Sequence, residues 1–152
     1  MTQEEKVLIL KDLCGRLPYG LFVSHQHDIS PVKHSVLAIN NSNGIRIRGL
    51  NSGSECEMWV GLNSIKPYLR PMDSMTEEEY EDFRRTFKWF ERFDEPVFEW
   101  TYKSYDWLNT HHFDYRGLIP MGLALEAPEG MYELEERKAL PSFCDDCGCE
   151  HP

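Results

Sequence analysis

The chain has 152 residues, of which 41% are hydrophobic and 12% aromatic, and its formal net charge is −10. This length and aromatic content predict a folded domain with a core and exclude a disordered chain, which would lack the rings needed to offset ordering entropy. Acid is concentrated late in the sequence: residues 73–125 hold six Lys and Arg against twelve Asp and Glu, and residues 126–152 hold two against eight. Direct binding to DNA or RNA is therefore disfavoured.

The sequence carries no membrane or export signal. No apolar run approaches the roughly 20 residues that span a bilayer, and the N-terminus lacks the basic-then-apolar layout of a secretory signal. The five cysteines, an odd number, indicate reduced thiols rather than a disulfide framework. We therefore expect a cytoplasmic protein that makes no membrane contact.

The first predicted element is a short helix. Thr2 and Glu5 have the spacing of a capping box, and apolar residues recur at helical spacing until Gly15 and Pro18 stop the run. Within this pattern Cys14 is expected to be a small core residue rather than a nucleophile. The predicted apolar stripe consists of Val7, Leu10, Leu13, Cys14 and Leu17.

Four short segments rich in branched or aromatic residues follow and predict strands at residues 21–25, 32–39, 45–50 and 58–60. Asn43-Gly44 is the strongest hairpin signal, since a primed turn needs positive φ at both central residues. We expect four to five short strands in a small, curved antiparallel sheet or an SH3-like barrel.

The strand after this turn alternates, so Ile45 and Ile47 should face the core while Arg46 and Arg48 face water or a partner. Together with Lys33, these two arginines could form a small basic patch.

The second half is predicted to be mainly helical. Pro67 and Pro71 bracket a stiff connector, and two overlapping capping boxes at Ser74 and Thr76 then begin a helix that Asp94-Glu95-Pro96 ends. Its apolar stripe would be Tyr80, Phe83, Phe87 and Phe90. A third helix is predicted at about residues 101–112, followed by a short edge strand at 124–126.

These elements predict a single α+β domain over residues 1–138, with a β-rich part at about 18–64 and a helical part at about 74–113. Residues 139–152 are expected to form a mobile, cysteine-rich tail, because termini without packing partners fray.

Three blocks, residues 11–20 (KDLCGRLPYG), 65–76 (IKPYLRPMDSMT) and 107–132 (WLNTHHFDYRGLIPMGLALEAPEGMY), resemble a family of small uncharacterised proteins from gut Bacteroides and their phages or integrated elements. They cover about a third of the chain. The resemblance implies a cytoplasmic accessory protein associated with mobile elements, and it supplies no catalytic residues.

The tail contains a candidate metal site. Three thiols and an imidazole could supply four ligands for tetrahedral zinc, the only cofactor that the sequence suggests. Four ligands within eight residues leave little chain to surround the ion, so an oxidisable tail without metal is the alternative. The candidate ligands are Cys144, Cys147, Cys149 and His151.

Two histidine pairs are further candidates. His111, His112 and Asp114 offer general acid and base groups for a hydrolase-like enzyme, with Arg116 nearby. Adjacent helical residues point about 100° apart, however, so a helix end capped by these groups is the alternative. His25-x-His27, with Asp28 and His34 close in sequence, could chelate a metal or lie in a solvated loop.

The aromatic residues after position 80 exceed what one helix face needs, and some of them should remain exposed as a protein-binding surface. An acidic, aromatic surface favours a non-enzymatic protein-interaction module over the hydrolase and zinc-protein alternatives. The predicted binding residues are Trp89, Phe93, Trp100, Glu77, Glu78 and Glu81.

Overall fold

In a computed structural model, residues 1–28, 32–50, 56–92 and 95–133 are described, and they form an α+β fold. The helices are α1 (Gln3–Arg16), α2 (Glu77–Arg84) and α3 (Tyr102–Thr110). The strands are β1 (Phe22–His25), β2 (His34–Ile39), β3 (Gly44–Gly49), β4 (Glu57–Gly61), β5 (Ile65–Leu69), β6 (Lys88–Arg92), β7 (Glu95–Glu99) and β8 (Leu125–Glu126).

Six strands form one sheet in the order β4-β3-β2-β1-β5-β8. The pairs from β4 to β5 are antiparallel, as predicted, whereas β8 pairs with β5 in parallel, so the sheet is mixed. Because β4 and β8 lie at opposite ends of this order, the described strands form an open sheet and not the alternative SH3-like barrel. The edge strand expected at residues 124–126 is confirmed.

The β2–β3 hairpin is confirmed, but its turn differs from the predicted one. Asn43 has a φ of 60° and Gly44 does not have a positive φ. The Asn43 N–H donates to the Asn40 carbonyl at 3.1 Å, which closes a turn two residues earlier than predicted. The Asn40 side chain accepts from the Gly44 N–H at 2.8 Å, and a Cβ on Gly44 would lie 2.7 Å from that side chain. This close approach explains the glycine.

The predicted stiff connector at residues 67–71 is wrong, because residues 65–69 form β5. Pro67 lies opposite Val23 of β1, and pairing with β8 begins only at Tyr68. At Pro67, β5 is therefore still an edge strand on one side, where a residue without an N–H is tolerated.

The capping box at the start of α1 is confirmed by reciprocal hydrogen bonds between Thr2 and Glu5. The buried face is rotated from the predicted stripe, however, and consists of Ile9, Asp12, Leu13 and Arg16. Cys14 is exposed, so its prediction as a core residue is wrong. The reason is that two charged residues occupy the buried face, which the apolar periodicity could not show.

The predicted second helix is too long. Only the Thr76 capping box forms, and α2 ends at Arg84. The following residues form the antiparallel hairpin of β6 and β7, in which Trp89 lies opposite Phe98. The third helix is confirmed as α3, and Thr101 is its N-cap.

The core has two clusters. The larger packs α1 against the sheet around Ile9, Leu13, Ile45 and Ile47. As predicted, both isoleucines of β3 are fully buried while Arg46 is exposed. The smaller cluster joins α2 to α3 and centres on Phe83, Leu108 and Phe113. Within the described ranges, none of the helices has the length and apolarity needed to cross a membrane.

Candidate functional site

The His111-His112 pair ends helix α3. The His112 N–H donates to the Asn109 carbonyl at 3.2 Å and the Phe113 N–H to the Leu108 carbonyl at 3.0 Å. These two bonds, with φ of 60° at His112, form a Schellman C-cap. A histidine occupies the left-handed position that glycine usually takes, so the sequence lacked the usual signal for this helix end.

The two imidazoles lie against different aromatic rings. His111 is stacked on Trp107 with ring centroids 3.8 Å apart, and its Nδ1 donates to the Trp107 carbonyl at 2.8 Å. His112 is stacked on Tyr132, also at 3.8 Å. The two imidazoles therefore have different stacking partners.

Asp114 caps the turn that follows. Its two carboxylate oxygens accept the N–H groups of Leu118 and Ile119, each at 2.8 Å. The side chain is buried, and each of its oxygens accepts one backbone N–H. This geometry corresponds to the capping alternative for Asp114 rather than to general base catalysis.

A buried ion pair lies beneath this turn. Arg16 and Asp12 are fully buried and form two hydrogen bonds of 2.8 and 2.9 Å. Arg16 also donates to the Phe113 carbonyl at 2.8 Å, while Arg116 lies 3.4 Å from Asp12. Arg116 thus pairs with Asp12 of α1. The network fastens α1 to the loop after α3.

The second histidine group lies at the end of β1. The His25 ring centroid is 5.1 Å from that of His27 and 6.1 Å from that of His34, and His34 Nε2 lies 3.0 Å from Asp28. Burial lowers the pKa of His25, and the two neighbouring imidazoles act in the same direction while Asp28 opposes them. Across the described ranges, no three His, Cys, Asp or Glu residues are arranged to hold a metal ion.

The tail ligands Cys144, Cys147, Cys149 and His151 lie outside the described residues, as does Phe93.

Glu57 offsets one charge of the predicted basic patch. Arg46 and Arg48 both form ion pairs with this residue, which lies on the facing strand β4. Hydrogen bonds from Arg48 and Arg46 lower the pKa of Glu57. The Lys33 ammonium lies 4.8 Å from the centroid of the Phe22 ring.

Large rings remain exposed around the β6–β7 hairpin and helices α2 and α3. Trp89 is 59% exposed, Phe98 53% and Trp100 40%. Soluble domains rarely leave several large rings in water within one region. We call these rings the aromatic surface; they are Tyr80, Trp89, Phe98, Trp100, Tyr102 and Tyr105.

Hydrogen bonds at the base of the hairpin position this surface. The Thr101 hydroxyl donates to the Thr86 carbonyl at 2.9 Å, and the Thr86 hydroxyl lies 2.8 Å from that of Ser104. The hairpin base is therefore tied to the first turn of α3. Trp100 consequently packs with its centroid 5.3 Å from the Phe83 ring, in a T-shaped pair.

A groove of about 630 Å³ opens beside Trp100, and we call it the aromatic groove. Its apolar wall is built from α2, the loop before it and the base of the hairpin, with Phe83 buried at the bottom. Asp73 and Glu77 are exposed on its lining. The lining residues are Met72, Asp73, Met75, Thr76, Glu77, Tyr80, Phe83, Phe87 and Trp100.

The acidic side chains of α2 differ in whether they form ion pairs and hydrogen bonds. Burial opposes ionisation of Glu79, but hydrogen bonds from Arg70 and the Thr76 N–H outweigh it and lower its pKa. Glu81 pairs with Arg84 at 3.2 Å. Glu77 and Glu78 are exposed and form no ion pair with any described residue. Of the predicted binding acids, Glu77 alone lines the groove.

Sequence analysis identified Trp100 and Glu77 but missed the rest of the groove. Met72 and Met75 are isolated apolar residues in a loop, and no periodicity marks them. Phe87 was assigned to a helix stripe, although the run of β-branched and aromatic residues from Thr86 to Phe90 is a strand signal that could have corrected this.

Comparison of the chain with protein-family models, with curated proteins and with solved structures finds no match.

Proposed function

We propose that the chain is a non-enzymatic protein-interaction module that recognises another protein through the aromatic surface. The observation that carries this proposal is the exposure of Trp89, Phe98 and Trp100 on one hairpin and its flanks. Tryptophan and tyrosine side chains are the residues that most often anchor protein interfaces. Leaving them in water has a free-energy cost that burial by a partner would recover.

The contacts of the candidate catalytic residues support the same proposal. His111 donates to a backbone carbonyl and Asp114 accepts two backbone N–H groups. Both side chains therefore have structural roles that account for their presence. The acidic composition supports a protein partner over a nucleic acid.

On the resemblance of the three sequence blocks, we place the protein as a cytoplasmic accessory factor of a phage or mobile element. Its partner would then be a host protein or one encoded by the same element.

The proposal is tested by affinity purification of the full chain from its native host, followed by mass spectrometry. A specific partner should be retained by the wild type and lost from Trp89→Ala. Trp59→Ala is the matched control, because Trp59 is a similarly exposed tryptophan on β4 of the large sheet. Retention of the same proteins by both variants, or the absence of any specific partner, would refute the proposal.

A further inference from the structure

Resting on the function proposed above, we propose that the aromatic groove binds a segment of the partner in which an apolar side chain lies next to Lys or Arg. This inference assigns a chemical class to the occupant. It follows from the shape of the groove, the type of its wall residues and the sign of the charge on its rim.

The groove has the size and lining of an anchor pocket. About 630 Å³ lies within the usual range for sites that enclose a ligand or one to two large side chains. Two methionines, Met72 and Met75, form part of the wall, and their flexible, polarisable side chains adapt to different apolar shapes. Phe83 and Phe87 meet in a T-shaped pair at 4.8 Å and provide a rigid base.

The rim selects the charge of the occupant. Asp73 and Glu77 form no ion pair with any part of the chain that the structure describes, so their charges are available to a partner. Glu78 lies one residue further along α2 and outside the lining, where it adds a third exposed acid near this end of the helix. The N-terminal end of α2 carries a positive dipole charge of about half an elementary charge. The negative charge of the acidic residues in its first turn is larger than this.

Charge also argues against two other occupants. A second copy of this chain would bring a net charge of −10 to an acidic rim. The chain's own residues 126–152 hold two basic residues against eight acidic ones. Both carry a net negative charge, which an acidic rim repels, whereas a basic segment of another protein would be attracted.

The test uses peptides selected from a random displayed library on the immobilised full-length protein. Selected peptides should contain an aromatic or large aliphatic residue beside Lys or Arg. Each is then synthesised together with a twin in which its basic residues are replaced by Glu, and both are titrated by fluorescence anisotropy. The twin should bind at least tenfold more weakly at low salt.

Two exposed changes separate the apolar and charged contributions. Tyr80→Ala removes a groove residue and should weaken binding about tenfold, whereas Trp59→Ala removes an exposed ring on β4, outside both the lining and the aromatic surface, and should not. Asp73→Lys/Glu77→Lys should weaken binding of the basic peptides about tenfold, and this difference should shrink as salt screens it. Glu129→Lys, an exposed acid outside the groove, is the charge control.

Each outcome has a distinct meaning. Selected peptides that require Tyr80 but lack basic residues, or that ignore the Asp73→Lys/Glu77→Lys reversal, would overturn this inference and leave the proposed function standing. Failure to select any peptide that distinguishes Tyr80→Ala from Trp59→Ala would overturn the inference, and the co-purification with Trp89→Ala would then decide the proposed function separately.

Discussion

Replacing Arg16 with methionine should destabilise the protein strongly, because it leaves the carboxylate of Asp12 buried without its main partner. Both side chains are fully buried, and Arg16 also satisfies the Phe113 carbonyl at 2.8 Å. Removing one member of a buried ion pair typically costs about 3–5 kcal/mol. Domains have about 5–15 kcal/mol of stability in total, so this single change should remove a large fraction of it.

The double variant Asp12→Leu/Arg16→Met tests whether the loss of stability comes from the unpaired carboxylate of Asp12. It removes both charges, leaves Arg116 free to turn toward water, and keeps an apolar volume at the α1 face. We therefore expect the double variant to be more stable than Arg16→Met alone, since an apolar replacement of a buried pair is often nearly neutral.

Urea unfolding followed by tryptophan fluorescence measures these differences, and thermal unfolding of Arg16→Met should show a midpoint roughly 10 °C lower. Val7→Ala, at an exposed position of the same helix, is the control and should change stability by less than about 0.5 kcal/mol. A loss of under about 1 kcal/mol in Arg16→Met, or a double variant less stable than either single one, would refute the reasoning.

Three further predictions concern single side chains. The Tyr132 hydroxyl accepts from the Phe22 N–H and donates to the Tyr68 carbonyl. Tyr132→Phe should therefore lower the free energy of unfolding in urea by about 1–3 kcal/mol, while Tyr102→Phe should leave it almost unchanged. Equal effects of the two changes would contradict this bridge. Because burial lowers the pKa of His25, the unfolded chain binds the His25 proton more tightly than the folded chain does. The contribution of His25 to stability is therefore present at pH values above its ordinary pKa of 6.5 and is lost as the pH falls through the folded pKa. His25→Gln should therefore flatten the fall in stability below neutral pH, and an unchanged slope would count against it. At the left-handed position 112, His112→Gly should be about 1 kcal/mol more stable than His112→Ala, and the opposite order would show that this backbone conformation is not required.

Sequence patterns correctly predicted those parts of the fold that depend on interactions between residues close together in the chain. The Thr2 and Thr76 capping boxes start α1 and α2, and the alternation of Ile45 and Ile47 sets the inner face of β3. These features depend on residues two to four positions apart, so sequence reasoning could identify them without knowing the tertiary structure.

The errors arose where distant contacts override local patterns. Arg16 lies on the buried face of α1 because Asp12 and the Phe113 carbonyl accept three hydrogen bonds from it, and the carbonyl belongs to a loop 97 residues away. Pro67 lies in a strand because β1 pairs with one side of it. The candidate site was predictable only in part for the same reason: the groove unites Met72 with Trp100, which no spacing rule connects.

The three blocks that carry the resemblance contact one another. Arg16 of the first donates to Phe113 of the third. Arg70 of the second exchanges backbone hydrogen bonds with the third, donating to His112 at 2.8 Å and accepting from Asp114 at 2.7 Å. Tyr132 reaches the Tyr68 carbonyl at 2.9 Å. The residues of these blocks thus hold α1, β5 and the loop after α3 together, which is a structural role.

The whole aromatic surface lies between the second and third blocks. All six of its rings fall within residues 77–106: Tyr80, Trp89, Phe98, Trp100, Tyr102 and Tyr105. The hairpin carries Trp89 and Phe98, and Trp100 follows it directly. Its base is hydrogen-bonded to the start of α3 through Thr86. Its outer residues can therefore change with little effect on the interlocked blocks. We expect stability to depend on the blocks and partner choice on the hairpin, so that Trp89→Ala should leave the urea midpoint unchanged while abolishing partner retention; a large loss of stability in that variant would assign Trp89 to the fold instead.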